Sequence, residues 1–520
     1  MRAPRLADRL RAALLRAAFP DLERALSRGA AGRLRPRGGH PRRVPAAMAD
    51  NERSKKRHRV SSPDLNDRRP RSGHTYKVPG YGNSPYVVSE YEFEVPLDYS
   101  GHVPGRIKIF AREVVAQNKM CQQLPYLLYL QGGPGFAATL PIDGGAWLRT
   151  AANSFRVVLL DQRGTGRSDP VTCRNLTKKG TPKQQADYLK FFRADSIVRD
   201  AEYVREALVP RDGSSKGKWS ILGQSFGGFC AVHYLSAAPQ GLAEVMITAG
   251  IPPRIEEDNP ADETYEALFE RVIKQNKTFY ERFPQDVKAV QDIVLHLSKQ
   301  PKGGVKLPGG SFLTPRSFQL LGVGLGFLGG LERMHYLIES AFDGGELSLK
   351  FLKGFEGWMS WETNPLYALL HEPIYSQGPG AAWAAHRIRK EKYDSMFDAV
   401  KCASKGDPVY FTGEMVFPWM FDDFVELRPL KETADLVAKH NSWSRLYDID
   451  TLRCNKVPVA AVAYFEDMYV DFNLAKKSAD HIEGLRLWVT SDYLHSGIRD
   501  DGTKIFERLM GMVRDNILLT

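Results

Sequence analysis

The sequence predicts an α/β fold, a mostly parallel sheet with helices on both faces and one large, mainly helical cap insertion. Three observations lead there. Short apolar runs recur along the chain, each ending in polar or Gly-rich residues, as strands buried on both faces do. Helical stretches lie between these runs, which is the order of a parallel sheet. And about 200 residues of helical, aromatic-rich pattern interrupt the series between Thr248 and Val457, far more than a single strand-to-helix connection needs.

From the amino end, residues 1–47 hold 12 Arg and 3 acidic residues, a net of +9, with Leu at helical spacing from Leu6 to Leu26. An organelle-targeting presequence is one reading. Asp8, Asp21 and Glu23 speak against it, and a leader before a start at Met48 is the other. Residues 48–77 add +5 and include the run Lys55-Lys56-Arg57-His58-Arg59, which reads as a disordered tail or a nuclear-localisation signal. Together, 1–77 is expected to be a disordered basic leader. The total charge is +11, so residues 78–520 carry −3. A near-neutral body argues against a nucleic-acid surface, and no membrane partner is expected either.

Order is expected from about Tyr81. Tyr86 to Tyr99 and Arg106 to Val115 alternate apolar and polar residues, as paired antiparallel strands do. Parallel strands are expected at 125–130, 155–160, 219–222, 245–248, 457–463 and 485–489. The domains are then a core in two parts, 78–253 and 451–520, separated by a helical cap over 254–450. The apolar run from Ser317 to Leu331 is too short to span a bilayer. The five cysteines are scattered, odd in number and without a C-x-x-C pair, which fits a reducing, cytoplasmic setting.

The chemistry is concentrated at strand ends. Gly223-Gln224-Ser225-Phe226-Gly227 stands between a strand and a helical run, the context of a nucleophile elbow. The glycines admit a sharp turn that lifts the Ser225 hydroxyl clear of the sheet. This makes the body an α/β-hydrolase core with Ser225 as nucleophile. Acyl transfer also needs two backbone N–H groups aimed at the developing oxyanion. Phe226 supplies one. The loop Gln131-Gly-Gly-Pro-Gly135 supplies the other, from Gly133 or, as the alternative, Gly132; Pro134 has no N–H. The base and its orienter should come later in the chain, in the order acid, histidine. His495 lies just past the strand at 485–489, whereas His233, His371 and His481 fall on the nucleophile's helix, in the cap and before a strand. Asp467 comes after the strand at 457–463, with Glu466 and Asp471 as rivals.

These motifs resemble the proline iminopeptidase family. Gln131-Gly-Gly-Pro-Gly135 is similar to that family's H-G-G-P-G loop, with Gln in place of His. Asp161-Gln-Arg-Gly-Thr-Gly-Arg-Ser168 resembles its D-Q-R-G-x-G-x-S stretch, and Gly223 to Gly228 its G-x-S-x-G-G elbow. Trp358-Met-Ser-Trp-Glu362 resembles a W-S-x-W-E cap motif. The resemblance implies a serine aminopeptidase that works without a metal or cofactor and releases an N-terminal residue, preferably proline, from peptides with a free N-terminus. An anionic group in the cap would hold the substrate ammonium. Glu362, Glu372 and Glu414 are the candidates, Glu372 because Pro373 should force an extended exit that projects its carboxylate. Trp358 and Trp361 are candidates to line a proline-sized pocket. Asp161 to Ser168 is expected to be structural, with Arg163 pairing a core carboxylate. The alternatives are a small-molecule esterase or amidase of the same fold, or a hydrolase-fold receptor without turnover.

Overall fold

The computed structural model describes residues 70–80, 85–213 and 215–516. The presequence reading of 1–47 and the basic run at 55–59 lie outside the described residues.

Nine strands among the described residues form one sheet. In chain order its members are β1 (Arg71–Val78), β2 (Tyr86–Pro96), β3 (Arg106–Ala116), β4 (Tyr126–Leu130), β5 (Arg156–Asp161), β6 (Trp219–Gln224) and β7 (Leu242–Thr248). Two short hairpins come next, in the cap: β8 (Val305–Lys306) with β9 (Phe312–Leu313), and β10 (Phe342–Asp343) with β11 (Glu346–Leu347). The main sheet ends with β12 (Val459–Tyr464) and β13 (Leu485–Thr490). Its spatial order is β1-β2-β3-β5-β4-β6-β7-β12-β13. The pairs from β1 to β5 are antiparallel and all the others parallel.

The strand Tyr-Leu-Leu-Tyr-Leu of β4 shows how the sequence produces this. Successive side chains point to opposite faces, so Leu128 and Leu130 join one core and Leu127 and Tyr129 the other. The first core is closed by the helices Ala194–Leu208 and Phe226–Ala237, through Ile197, Val204, Val232 and Leu235. The second is closed by Gly145–Ala151 and Gly502–Val513, through Trp147, Leu148, Phe506 and Leu509. Helices on both faces leave only the strand ends open, and loops beyond their carboxyl ends form the natural site.

One boundary needs correction. Residues 71–77 do not belong to a disordered leader: Arg71–Val78 is a strand that pairs antiparallel with β2, from Arg71 opposite Glu92 to Val78 opposite Tyr86. Residues 73–77 keep their side chains exposed, so no apolar alternation advertises the strand, and its backbone hydrogen bonds supply the order.

The cap runs between β7 and β12; we propose 254–450 as its bounds. Its longest helices are Ala261–Arg282 and Asp286–Ser298, whose apolar stripes include Tyr265, Leu268, Phe269 and Val272 in the first and Val290, Ile293 and Val294 in the second. These residues continue the first of the two cores. No described helix is long and apolar enough to cross a membrane.

Candidate active site

Three side chains from three strand ends meet beneath the cap. The Ser225 hydroxyl lies 3.0 Å from His495 Nε2, and His495 Nδ1 lies 2.8 Å from Asp467 Oδ2. All three are buried, at 8%, 3% and 1% exposure for Ser225, His495 and Asp467, so the pairs face little competition from bulk water.

Local sequence explains each position. Ser225 directly succeeds β6 with φ 55° and ψ −126°, a sparsely populated region for a residue with a Cβ. The strain is held by close packing. A Cβ on Gly227 would fall 2.0 Å from the carbonyl oxygen of Leu130, so only glycine lets the helix start so near β4. Asp467 sits in the turn after β12, its N–H held by the Tyr464 carbonyl at 3.2 Å. Its Oδ1 accepts the N–H groups of Tyr469 and Val470 at 2.8 and 3.1 Å, which aims Oδ2 at the imidazole. The Tyr469 ring stacks on His495 with centroids 4.5 Å apart and 24° between planes. The rivals are engaged elsewhere: Asp471 caps the helix Phe472–Ala479 and pairs with Arg271, and Glu466 pairs with Lys274 and Arg271. Of the other histidines, His233 bonds the Leu446 carbonyl, and burial in the cap pushes His371 down to about 4.

The glycine loop after β4 lies directly over the nucleophile. A Cβ on Gly132 would stand 2.9 Å from that of Ser225. Among the described residues, the N–H groups of Gly133 and Phe226 make no loop or capping hydrogen bond. Phe226 is the first residue of its helix, where an N–H has no partner within the helix. Gln131, in the place of a histidine, accepts the Tyr129 hydroxyl at 3.1 Å, and its carbonyl accepts the Gln162 amide at 2.9 Å. The Asp161 to Ser168 stretch is thus a brace for this loop. The Asp161 carboxylate accepts the N–H groups of Ala138 and Arg167, and Arg163 makes a bidentate pair with Asp200, both contacts at 2.7 Å.

Above Ser225 and His495 is a cavity of about 530 Å³. Phe136, Phe327, Trp358, Trp361, Tyr367 and Tyr469 give it aromatic walls, and the half-buried Glu414 gives it a carboxylate. Trp361 and Tyr367 stack with centroids 6.1 Å apart, and Phe136 meets Tyr367 edge-on at 5.4 Å. The larger cleft of about 730 Å³ beside Asp195, His233 and Trp443 does not include the nucleophile.

The three cap glutamates separate clearly. Glu414 lines the cavity on a loop that is fixed just before it, by Asn276 Oδ1 holding the Phe411 N–H at 2.7 Å and the Gln319 carbonyl holding that of Thr412 at 2.9 Å. Tyr367 donates to its Oε1 at 2.8 Å, and among the described residues no donor engages Oε2. Burial pushes its carboxyl up to about 7, against the opposing pull of His495 and Tyr367. Glu372 is not on the cavity wall. Pro373 does not force an extended exit: the chain continues as a 3-10 turn over Glu372–Ile374, where proline's missing N–H has no partner to lose. The Glu372 carboxylate turns away to accept the N–H groups of Ala384 and Ala385 at 3.0 and 3.1 Å. Glu362 is also off the wall, accepting the Ser311 hydroxyl at 2.7 Å and the Glu426 N–H at 3.2 Å. Tyr367, Phe136, Phe327 and Tyr469 are not marked by the sequence, since a single aromatic residue, in a helix or in a loop, reads as core packing.

A family model described as alpha/beta hydrolase fold matches residues 125–296. A proline iminopeptidase of Aeromonas sobria is 45% identical over 424 residues, covering 81% of this chain and 96% of that protein. The proline iminopeptidase aneH of Aspergillus aculeatus is 36% identical over 437 residues, covering 83% of this chain and 94% of its own. With likeness of this extent spanning core and cap alike, the chain belongs to the proline iminopeptidase family.

Proposed function

We propose that this chain is a serine aminopeptidase that releases N-terminal proline from peptides by two-step acyl transfer. The observation that carries the reading is the juxtaposition of the hydrogen-bonded series Asp467–His495–Ser225 with the half-buried carboxylate of Glu414 in one cavity.

The substrate's ammonium is a cation entering a partly dry pocket, where an unpaired charge is costly to desolvate. Glu414 accepts it on Oε2, while Tyr367 holds Oε1. The pyrrolidine ring packs among Trp358, Trp361, Tyr367 and Phe136. Ser225 Oγ attacks the proline carbonyl as His495 Nε2 takes its proton, and Asp467 steadies the imidazolium that forms. The N–H groups of Phe226 and Gly133 receive the oxyanion. Collapse expels the rest of the peptide as an amine, protonated by His495. Water, deprotonated by the same imidazole, then frees proline and restores Ser225.

A fluorogenic panel tests the reading: proline, alanine and N-acetyl-proline amides of one coumarin amine, and an uncharged acyl ester. Free proline amide should be the best amide substrate, and N-acetylation should suppress its turnover. Preference for the acetylated amide or the ester would replace this function with that of a small-molecule amidase or esterase. No turnover of any substrate would favour a ligand receptor.

A further inference from the structure

The cavity holds a second charge that the proposed mechanism does not use. Arg499 is exposed and lines the same wall as His495. The contrast with other arginines is informative. Arg163 pairs with Asp200, Arg316 with Asp423, Arg387 with Asp262, and Arg271 with Asp471. Among the described residues, no carboxylate lies within 4.0 Å of the Arg499 guanidinium and its side chain makes no hydrogen bond, so its charge reaches Glu414 only at a distance. Asp143, also on the cavity wall, stays beyond that distance. The Arg499 guanidinium stands over the Phe327 ring instead, 5.4 Å from its centroid. An arginine fork left open at a cavity mouth suits a planar oxyanion such as a carboxylate.

Its place relative to the reaction identifies which carboxylate. The turn after His495 is well fixed. Ser496 accepts the Leu328 N–H at 3.2 Å and donates to Asp500 at 2.6 Å, and its carbonyl holds the Arg499 N–H at 2.7 Å. His495 must protonate the departing nitrogen, and Arg499 lines the same cavity four residues further along the chain. Glu414 holds the amino end of the substrate in the cap, so the substrate residues beyond the scissile bond face the exposed mouth. We propose that Arg499 receives the C-terminal carboxylate of a short substrate, making this enzyme selective for prolyl dipeptides over longer or carboxyl-blocked chains. In a dipeptide the carboxylate is attached directly to the Cα of the leaving residue, and that Cα is bonded to the nitrogen that His495 protonates. The assignment rests on the aminopeptidase reading and on Glu414 as the ammonium site.

The test compares Pro-Gly with Pro-Gly-amide, which share the scissile bond and differ at the terminal carboxylate, in the wild type, Arg499→Met and Arg499→Lys. The ratio of their kcat/KM values within each protein cancels any general loss caused by the substitution. In the wild type the free acid should be favoured by roughly two- to fivefold, the range for a charge pair at an exposed site. The ratio should fall towards one in Arg499→Met and take an intermediate value in Arg499→Lys, which keeps the charge but loses the fork. A wild-type ratio near one, or one undiminished in Arg499→Met, overturns the assignment. The proline coumarin amide has no carboxylate and reports the underlying reading separately. If the wild type fails on it while cleaving N-acetylated amides, the aminopeptidase reading falls and this assignment with it.

Discussion

Tyr367 donates its hydroxyl hydrogen to Oε1 of Glu414 across 2.8 Å, joining a helix of the cap to a loop 47 residues further along the chain. This bond supports the charged form of a carboxyl that burial otherwise neutralises, and the first two predictions turn on it.

Glu414→Gln keeps shape while deleting charge. Its kcat/KM on proline amides with a free amine should fall by roughly tenfold to a hundredfold, the loss of a charge-assisted hydrogen bond of about 1.5–3 kcal/mol. Glu362→Gln and Glu372→Gln, off the cavity wall, should lose far less. Steady-state kinetics on all three decide the matter, and equal losses would reject Glu414 as the ammonium site.

The pH profile depends on the same residue. Glu414 must be ionised to hold a cation, and its carboxyl stands at about 7, so kcat/KM on free-amine substrates should rise as pH increases through about 7. Tyr367→Phe removes a bond that favours ionisation, so the rising limb should move to higher pH. An uncharged ester does not need Glu414 charged and should show no such displacement. Movement with both substrates would reject Glu414 as its origin.

Glu372 affects stability rather than turnover. Burial lifts its carboxyl from 4.5 to about 7, against the N–H groups of Ala385 and Ala384. Between those values the folded chain keeps a proton that the unfolded chain has released. The group's contribution is therefore complete below about pH 4.5 and is lost as pH rises through 7, by on the order of 3 kcal/mol. Glu372→Gln cannot ionise, so the wild type should lose stability relative to it between about pH 5 and about pH 8. Urea denaturation at the two pH values measures this, and a constant difference would contradict it.

Ser225→Ala should reduce turnover by several orders of magnitude while preserving the fold. Because φ at this position is 55°, Ser225→Gly should melt above Ser225→Ala, by about 1 kcal/mol of relieved strain. Calorimetry on the two variants gives the comparison, and equal melting temperatures would show that the elbow stores no strain.

Strand β1 gives the last prediction. Deletion through residue 69 spares it, whereas deletion through residue 79 strips β2 of a partner and bares its edge. The longer deletion should lower the melting temperature and promote aggregation relative to the shorter one. Matching behaviour of the two would mean that the edge strand adds nothing.

The sheet was legible because strands buried on both faces must be apolar throughout, and β4 and β12 are, with β6 nearly so. Ser225, Asp467 and His495 could be placed together because chain order and strand ends constrain where such groups meet. The ammonium site could not be chosen from the sequence. Glu362, Glu372 and Glu414 are chemically alike, and contacts made by residues as distant as Asn276, Gln319 and Ala384 decide which carboxylate reaches the cavity. Strand β1 escaped notice because backbone pairing leaves no trace in a row of exposed side chains without apolar alternation.

Ser225 and His495 stand 270 residues apart, with the whole cap between them. At roughly 5–20 residues per second, a ribosome needs on the order of 15–50 s to go from one to the other. Throughout that interval the nascent chain carries an elbow serine with no imidazole beside it. On the proposed mechanism the peptidase is therefore inert while it is being made and acquires activity only once the segment after the cap has docked, with no propeptide needed to restrain it.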